Sequence, residues 1–238
     1  MDQTSISLNK YISSTGICSR READKWIEAG RVSINGRKAV KGNRVEPGDK
    51  VAIDGKSLRS KEKSVYLLFH KPPGITSTTD RRDKDNIIDF IKYKKRIFPV
   101  GRLDKASSGL IIMTNDGDMV NKILRKENQH EKEYIVKVSK PISSSFLSRM
   151  SKPIPMLGTR TIPATVTQIN AHVFSIILIQ GLNRQIRRMV EYCGDKVVSL
   201  KRIRIMHLEL GDLRPGKWRP LNDKELNELL IRIGDKKR

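Results

Sequence analysis

Apolar residues in the first quarter of the chain repeat at helical spacing and then switch to alternation. Leu8, Tyr11 and Ile12 lie at i, i+3 and i+4, one face of a short helix. Ala23, Trp26 and Ile27 repeat that spacing, with Ser19 three residues before Glu22 in the pattern of a capping box. Gly30 stands where a left-handed residue can end the second helix. Val32-Ser33-Ile34 then runs into Asn35-Gly36, the dipeptide that favours a two-residue hairpin. Pro47-Gly48-Asp49 marks another turn before a strand over residues 50–53. These elements predict a small domain within residues 1–60. Residues 57–64, rich in Lys and Ser, are expected to form a flexible tether.

A second domain is expected over residues 65–238. Val65-Tyr66-Leu67-Leu68-Phe69 and Leu110-Ile111-Ile112-Met113 are short apolar runs of the kind found in buried strands. Tyr134-Ile135-Val136-Lys137-Val138 alternates like a half-buried strand, and residues 173–179 read as a long central strand. Ile87, Ile88 and Ile91 predict a helix. Ile186, Met189, Val190 and Cys193 make a stripe at i, i+3, i+4 and i+7, predicting a helix over residues 184–193. Leu226, Leu229, Leu230 and Ile233 predict a closing amphipathic helix. Strands come in runs with helices interspersed irregularly, and no internal repeat is visible. The expected class is therefore α+β on a mostly antiparallel sheet.

Charge changes this picture more than composition does. The chain carries 48 Lys and Arg against 26 Asp and Glu, a formal net charge of +22. Such an excess repels itself in the folded state, and a polyanion relieves the strain. Nucleic acid is the expected partner, because neutralised phosphates release counterions. Arg21 and Lys25 are four apart on the second helix with Arg20 beside them, and like charges at that spacing destabilise an isolated helix. Arg31, Arg37, Lys38 and Lys41 extend the basic patch. No basic amphipathic helix suits a membrane surface, no apolar run is long enough to span a bilayer, and residues 1–7 lack an apolar signal core, so the cytoplasm is expected. Cys18 and Cys193 are too few for a disulfide framework or a zinc site, and the four histidines, His70, His130, His172 and His207, show no ligand spacing.

One loop concentrates candidate chemistry. In Gly101-Arg102-Leu103-Asp104-Lys105-Ala106-Ser107-Ser108-Gly109-Leu110, glycines and serines frame a carboxylate between two cations, and the loop ends on a buried strand that can position it. Arg102 and Lys105 are the expected partners of Asp104; an ordinary turn with a surface ion pair is the other reading. On the 184–193 helix, Arg184 and Arg188 point away from the apolar stripe, towards phosphate. Arg187 lies at the stripe's edge, and a half-buried Arg needs an acidic partner. Glu191, four residues on, is the local candidate. Met113, Met119 and Met189 are expected in the core.

Two resemblances absorb these features. Leu8-Asn9-Lys10-Tyr11-Ile12, Gly16-Ile17-Cys18-Ser19-Arg20-Arg21-Glu22-Ala23 and Ile27-Glu28-Ala29-Gly30-Arg31-Val32-Ser33-Ile34-Asn35-Gly36 resemble the ribosomal-protein-S4-like RNA-binding domain. The resemblance implies RNA contacts by Lys10, Arg20, Arg21, Lys25 and Arg31. Lys71-Pro72-Pro73-Gly74, the Asp104 loop continuing to Thr114-Asn115-Asp116-Gly117, Glu131-Lys132-Glu133-Tyr134 and Gly181-Leu182-Asn183-Arg184-Gln185-Ile186-Arg187-Arg188-Met189 resemble, in order, the motifs of pseudouridine synthases that act on ribosomal RNA. Arg96-Ile97-Phe98-Pro99-Val100 and the last motif bring the chain nearest to the members acting on large-subunit RNA.

That family breaks the N1–C1′ bond of uridine, turns the base and joins C5 to C1′. No atoms are gained or lost, so neither a redox cofactor nor a metal is expected. The resemblance implies that Asp104 is the catalytic carboxylate, Tyr134 stacks on the base and takes the C5 proton, and Arg187 pairs with Asp104. Whether Asp104 adds to the sugar or removes a sugar proton stays open. Arg102 is expected to fill the gap left by the uridine. Lys71, Leu178, Arg184 and Arg188 are expected to bind substrate, with Ile177 a second candidate wall. Some relatives carry a long basic tail beyond the last helix; here Lys236-Lys237-Arg238 end the sequence, which shifts the expected RNA affinity towards the first domain. A monomer is expected. The remaining readings are the same chemistry on small-subunit RNA or a transfer RNA anticodon loop, and a non-catalytic RNA-binding ribosome-assembly factor. A synthetase is disfavoured by the absence of a phosphate-binding loop motif.

Overall fold

The computed structural model describes residues 5–58, 62–124 and 129–234. The two ends of the sequence, including Lys236-Lys237-Arg238, and residues 59–61 of the expected tether lie outside them. The chain forms two compact units. One holds the residues up to Ser64 with Lys94–Arg96 and Asn115–Gly117, and the other holds Val65–Tyr93, Ile97–Thr114 and the chain from Asp118 on.

The first unit follows its sequence signals closely. Helices Leu8–Ser14 and Arg20–Glu28 bury Leu8, Ile12, Ala23 and Ile27 against Val32 and Val51 of a four-stranded antiparallel sheet. Ser19 Oγ accepts the Glu22 N–H at 3.1 Å, which satisfies one of the donors a helix start leaves open. Asn35 and Gly36 have φ of 51° and 79°, the left-handed pair that a type I′ hairpin requires. The tether expectation is corrected at its start. Ser57 pairs with Ala52 in the sheet and the Leu58 N–H bonds Val51 O, so these residues belong to the folded unit.

The second unit is built on a nine-stranded sheet. Its main path runs Thr165–Asn170, Val173–Leu178, Lys132–Val138, Val197–Ile205, Ser108–Thr114, Tyr66–Lys71 and Trp218–Pro220. Among the described strands of this sheet only Ser108–Thr114 and Val197–Ile205 pair in parallel, so the sheet is mostly antiparallel as expected. The strand Val173–Leu178 is not central. It lies one place from the edge, and the middle belongs to Val197–Ile205, whose two neighbours on this path, Lys132–Val138 and Ser108–Thr114, are far away in sequence.

Each face of the sheet carries a core, and alternation divides the strands between them. Leu67, Phe69, Ile111, Met113, Tyr134 and Val136 pack on one face, where Ile186, Met189, Val190 and Cys193 anchor the helix Gln185–Tyr192. Leu68, Leu110, Ile112 and Ile205 pack on the other, beneath Leu229 and Ile233 at the closing helix Asp223–Arg232. Ser108–Thr114 is buried on both faces, which explains its unbroken apolar run. Met113, Met119 and Met189 all lie in these cores.

Gly109 makes the parallel pairing possible. It sits opposite Arg202 with φ of 114°, and a Cβ there would lie 2.2 Å from Arg202 O and 2.5 Å from Arg202 N. Only glycine lets these two backbones meet.

Candidate active site

Asp104 lies in the loop between the strands Phe98–Val100 and Ser108–Thr114. Hydrogen bonds fasten this loop to the segment after Tyr66–Lys71. The buried Ser77 hydroxyl donates to Leu103 O at 2.9 Å and accepts the Leu103 N–H at 3.1 Å. The Gly74 N–H bonds Lys105 O at 2.8 Å, and the Ser107 N–H closes a turn on Asp104 O at 3.0 Å.

Lys71 is the hub of this fastening, and its placement corrects the expectation of a substrate contact. It has no exposed surface, and its ammonium donates to the carbonyls of Pro72 at 2.8 Å, Ile75 at 2.7 Å and Lys105 at 3.3 Å. Burial pushes the ammonium down to about 8, opposed by the charge of Asp104. Lys105 is also corrected: it pairs with Asp85 at 2.7 Å, on the exposed side of the loop, and not with Asp104.

The partner of Asp104 is Arg187. Its Nε stands 3.6 Å from Asp104 Oδ2, and its terminal nitrogen donates to Ser107 Oγ at 3.2 Å. The Arg187 side chain is 11% exposed and that of Asp104 31%, so the pair is largely shielded on the arginine side and open on the carboxylate side. The acid that the half-buried arginine required is thus 83 residues away, and not Glu191.

Asp104, Ser107, Tyr134, Leu178, Arg187 and Leu200 line a chamber of about 110 Å³. That is room for about four waters or one small planar ring. Tyr134 and Leu178 are nearly buried there, on neighbouring strands. Ile177 does not line the chamber, because successive strand residues face opposite ways. Beside the chamber lies a wider groove of about 1010 Å³, which shares Asp104, Tyr134, Arg102 and Arg184 with it. Among the described residues, six cationic side chains line that groove, with Asp104 as the one carboxylate.

Arg102 is exposed and lines both cavities. Arg184 does the same, with φ of 50° just before its helix. Arg188 lines neither; its guanidinium bonds the Asn183 backbone oxygen at 3.1 Å and side-chain oxygen at 3.3 Å. Three relevant residues carry no expectation from the sequence: Ser107 and Lys132, which lie inside the motifs of the Asp104 loop and of Tyr134, and Arg202, which lies outside every motif. Period two could have found Lys132, which is two residues from Tyr134 on one strand.

In the first unit, Arg20, Arg21 and Lys25 are exposed on one helix, and Lys10 is half-buried on the other. Arg20 reaches Asn9 Oδ1 at 3.4 Å. Arg31 is drawn to Asp54, with its guanidinium 5.2 Å from the Trp26 ring centroid, and Lys41 bonds Glu28 at 2.8 Å. Both expected phosphate contacts therefore have internal acidic partners, in exposed pairs that salt screens. Among the described residues no group of three or more His, Cys, Asp or Glu is placed to hold a metal, and no helix is long and apolar enough to cross a membrane.

The model of the RNA pseudouridylate synthase family matches residues 65–192, and the S4 domain model matches residues 7–59. The chain is 52% identical to the dual-specificity RNA pseudouridine synthase RluF of Escherichia coli K12, over 96% of this chain and 80% of that protein. It is 32% identical to ribosomal large subunit pseudouridine synthase B of Bacillus subtilis, over 93% and 94%. A solved pseudouridylate synthase structure superposes with a TM-score of 0.69 at 27% identity, covering 94% of this chain and 99% of that one. With an S4 domain ahead of its catalytic fold, the chain belongs to the RNA pseudouridylate synthase family.

Proposed function

We propose that this enzyme isomerises specific uridines in large-subunit ribosomal RNA, with Asp104 as the carboxylate that acts at C1′. One observation carries the reading: Asp104, Tyr134, Leu178 and Arg187, from four separate stretches of sequence, meet around a chamber sized for a single base. Cleaving N1–C1′ builds positive character on the sugar, and a carboxylate beside C1′ stabilises it. Arg187 and Ser107 orient that carboxylate. Tyr134 and Leu178 hold the detached uracil away from water while it turns, so that C5 and not a hydroxide meets C1′. Tyr134 then takes the C5 proton. Arg102, exposed at the mouth, fills the stack left by the flipped uridine, and Arg184 meets the RNA backbone. Lys71 acts from behind, by holding the loop.

The S4 unit supplies RNA affinity through Arg20, Arg21 and Lys25, with Lys10, and with Arg31 once phosphate displaces Asp54. The 32%-identical relative named for the large subunit supports the ribosomal target. The dual specificity in the name of the 52%-identical relative supports a second RNA, for which a transfer RNA anticodon loop is the candidate. The enzyme works as a cytoplasmic monomer. Asp104→Asn should abolish pseudouridine formation while RNA binding stays near that of the parent. Full activity in that variant overturns the catalytic assignment. Carbodiimide mapping of ribosomal and transfer RNA, with and without the gene, identifies the target; a map unchanged in every RNA favours the assembly-factor reading.

A further inference from the structure

Two cations of the wide groove, Lys132 and Arg202, are wholly or partly shielded from water and have no acidic partner among the described residues, although acids lie close in sequence. Arg202 is 3% exposed; its Nε donates to Leu110 O at 2.7 Å, and one terminal nitrogen is buried without any hydrogen-bond partner. Its guanidinium lies 6.0 Å from the centroid of the Tyr134 ring. Lys132 is half-buried, and its ammonium donates to His130 O at 3.0 Å. Both line the groove beside Asp104 and Tyr134.

The sheet itself keeps acids away from them. Glu131 and Glu133 flank Lys132 in sequence, yet both bind Arg204, at 3.0 and 2.8 Å. A register irregularity between Glu133 and Tyr134 sets Arg204 opposite Glu133 and Arg202 opposite Tyr134. Arg202 and Arg204 are two residues apart, and the irregularity gives them different surroundings. Asp104, the one carboxylate among the described residues that line the groove, is taken by Arg187. Burying an uncompensated cation is unfavourable, so two of them in one pocket wall point to an anion that arrives with the ligand.

We infer that Lys132, backed by the buried Arg202, binds the phosphodiester next to the flipped uridine. The assignment rests on the reading of the chamber as the catalytic centre. Lys132 supplies the contact, because it has exposed surface. Arg202 supplies field from behind and holds the Tyr134 ring. The two cavities separate the possible anions. Lys132 and Arg202 line the wide groove and not the small chamber, so the ribose–phosphate chain meets them while the base goes to Leu178 and Arg187. Burial, and then the charge of Arg202, push the Lys132 ammonium down to about 8; a phosphate in contact relieves both effects.

The test uses the full chain and a short RNA stem-loop carrying the modified uridine. Equilibrium binding is measured in the Asp104→Asn background and turnover in the Asp104 enzyme. Lys132→Met should weaken binding about tenfold and lower the slope of log affinity against log salt by about 1, while Lys132→Arg restores both. A neutral methylphosphonate placed in turn at each phosphate around the uridine should locate the contact. At one position it should weaken binding by the parent and leave Lys132→Met unaffected. Equal sensitivity of parent and variant at every position overturns the inference, as does a lower saturating rate at unchanged affinity, which would put Lys132 on the base. Activity surviving in Asp104→Asn overturns the underlying reading instead, so the two failures are distinguishable.

Discussion

The cations of the two units live under different physics. In the first, Arg20, Arg21 and Lys25 stand exposed on one helix, and Arg31 and Lys41 pair with exposed acids, Arg31 also lying over the Trp26 ring. Such charges act through water, are screened by salt, and accept any phosphate that comes near. In the second, Lys71 and Arg202 are buried and Arg187 nearly so, each fixed by named carbonyls, a hydroxyl or one carboxylate. A cation fixed in that way selects geometry, because moving it strands its partners. In the proposed function the difference separates affinity from chemistry: the first unit would attract RNA in general, and the second would reward one nucleotide placed correctly.

Breaking the second kind of charge should cost most. Asp104→Asn is expected to slow the reaction by more than about 10⁴-fold in a single-turnover assay, with little change in RNA affinity. A smaller loss would mean that Asp104 is only a neighbour of the reacting atoms. Arg187→Met should follow, with a rate lower by about 10² to 10³-fold and a similar affinity. Arg187→Lys should not recover the rate, since an ammonium cannot span both Asp104 and Ser107 as the guanidinium does. Recovery by lysine would reduce the pair to simple charge compensation.

Gly109→Ala tests the scaffold under those charges. A Cβ 2.2 Å from Arg202 O must part the parallel pair, so denaturant unfolding should show a loss of about 3 kcal/mol or more. Gly117→Ala, whose Cβ meets nothing within 4 Å, is the matched control and should leave stability nearly unchanged. In the first unit, replacing Arg20, Arg21 and Lys25 together by Ala should weaken binding about tenfold at every sequence tested, flatten the salt dependence, and leave the saturating rate alone. If that rate falls too, the exposed patch is doing more than attracting RNA.

Local structure was legible in the sequence to the extent that it depends on neighbours in sequence. The Ser19–Glu22 cap, the Asn35-Gly36 hairpin and the apolar stripe of the Gln185–Tyr192 helix all formed as their spacing requires. Periodicity even marked Arg187 as half-buried and in need of an acid. It could not say which acid, because that partner comes from another stretch of chain. The same limit explains the misplaced strand Val173–Leu178: sheet order depends on pairings such as Lys132–Val138 with Val197–Ile205, more than fifty residues apart. Lys71 misled for another reason. Its expected substrate contact came with the resemblance of Lys71-Pro72-Pro73-Gly74 to a family motif, and only the carbonyls that converge on it show why it can be buried. Arg202 gave no local sign at all, since its surroundings are set by a register irregularity.

Titration gives the subtlest test of the contrast, because an exposed lysine and a buried one lose their protons in different ranges. Lys71 titrates at about 8 in the folded protein, against 10.5 for the ordinary side chain, because burial disfavours its charged form. Well below pH 8 both the folded and unfolded chains hold this proton, so stability does not vary with pH on its account. Between about pH 8 and 10.5 the folded chain releases the proton while the unfolded chain keeps it. The unfolded state then binds more protons, and stability should rise with pH through that window, by about 1.4 kcal/mol per unit at most for this one group. Lys132, also near 8, acts in the same direction. Denaturant midpoints from pH 7.5 to 10.5 should therefore rise less steeply in Lys71→Met than in the parent. The comparison uses the slope, so it survives any general loss of stability from leaving three carbonyls without their donor. An equal slope in Lys71→Met would mean that water reaches Lys71 in solution, and the line between solvated and fixed cations would then have to be drawn closer to Asp104.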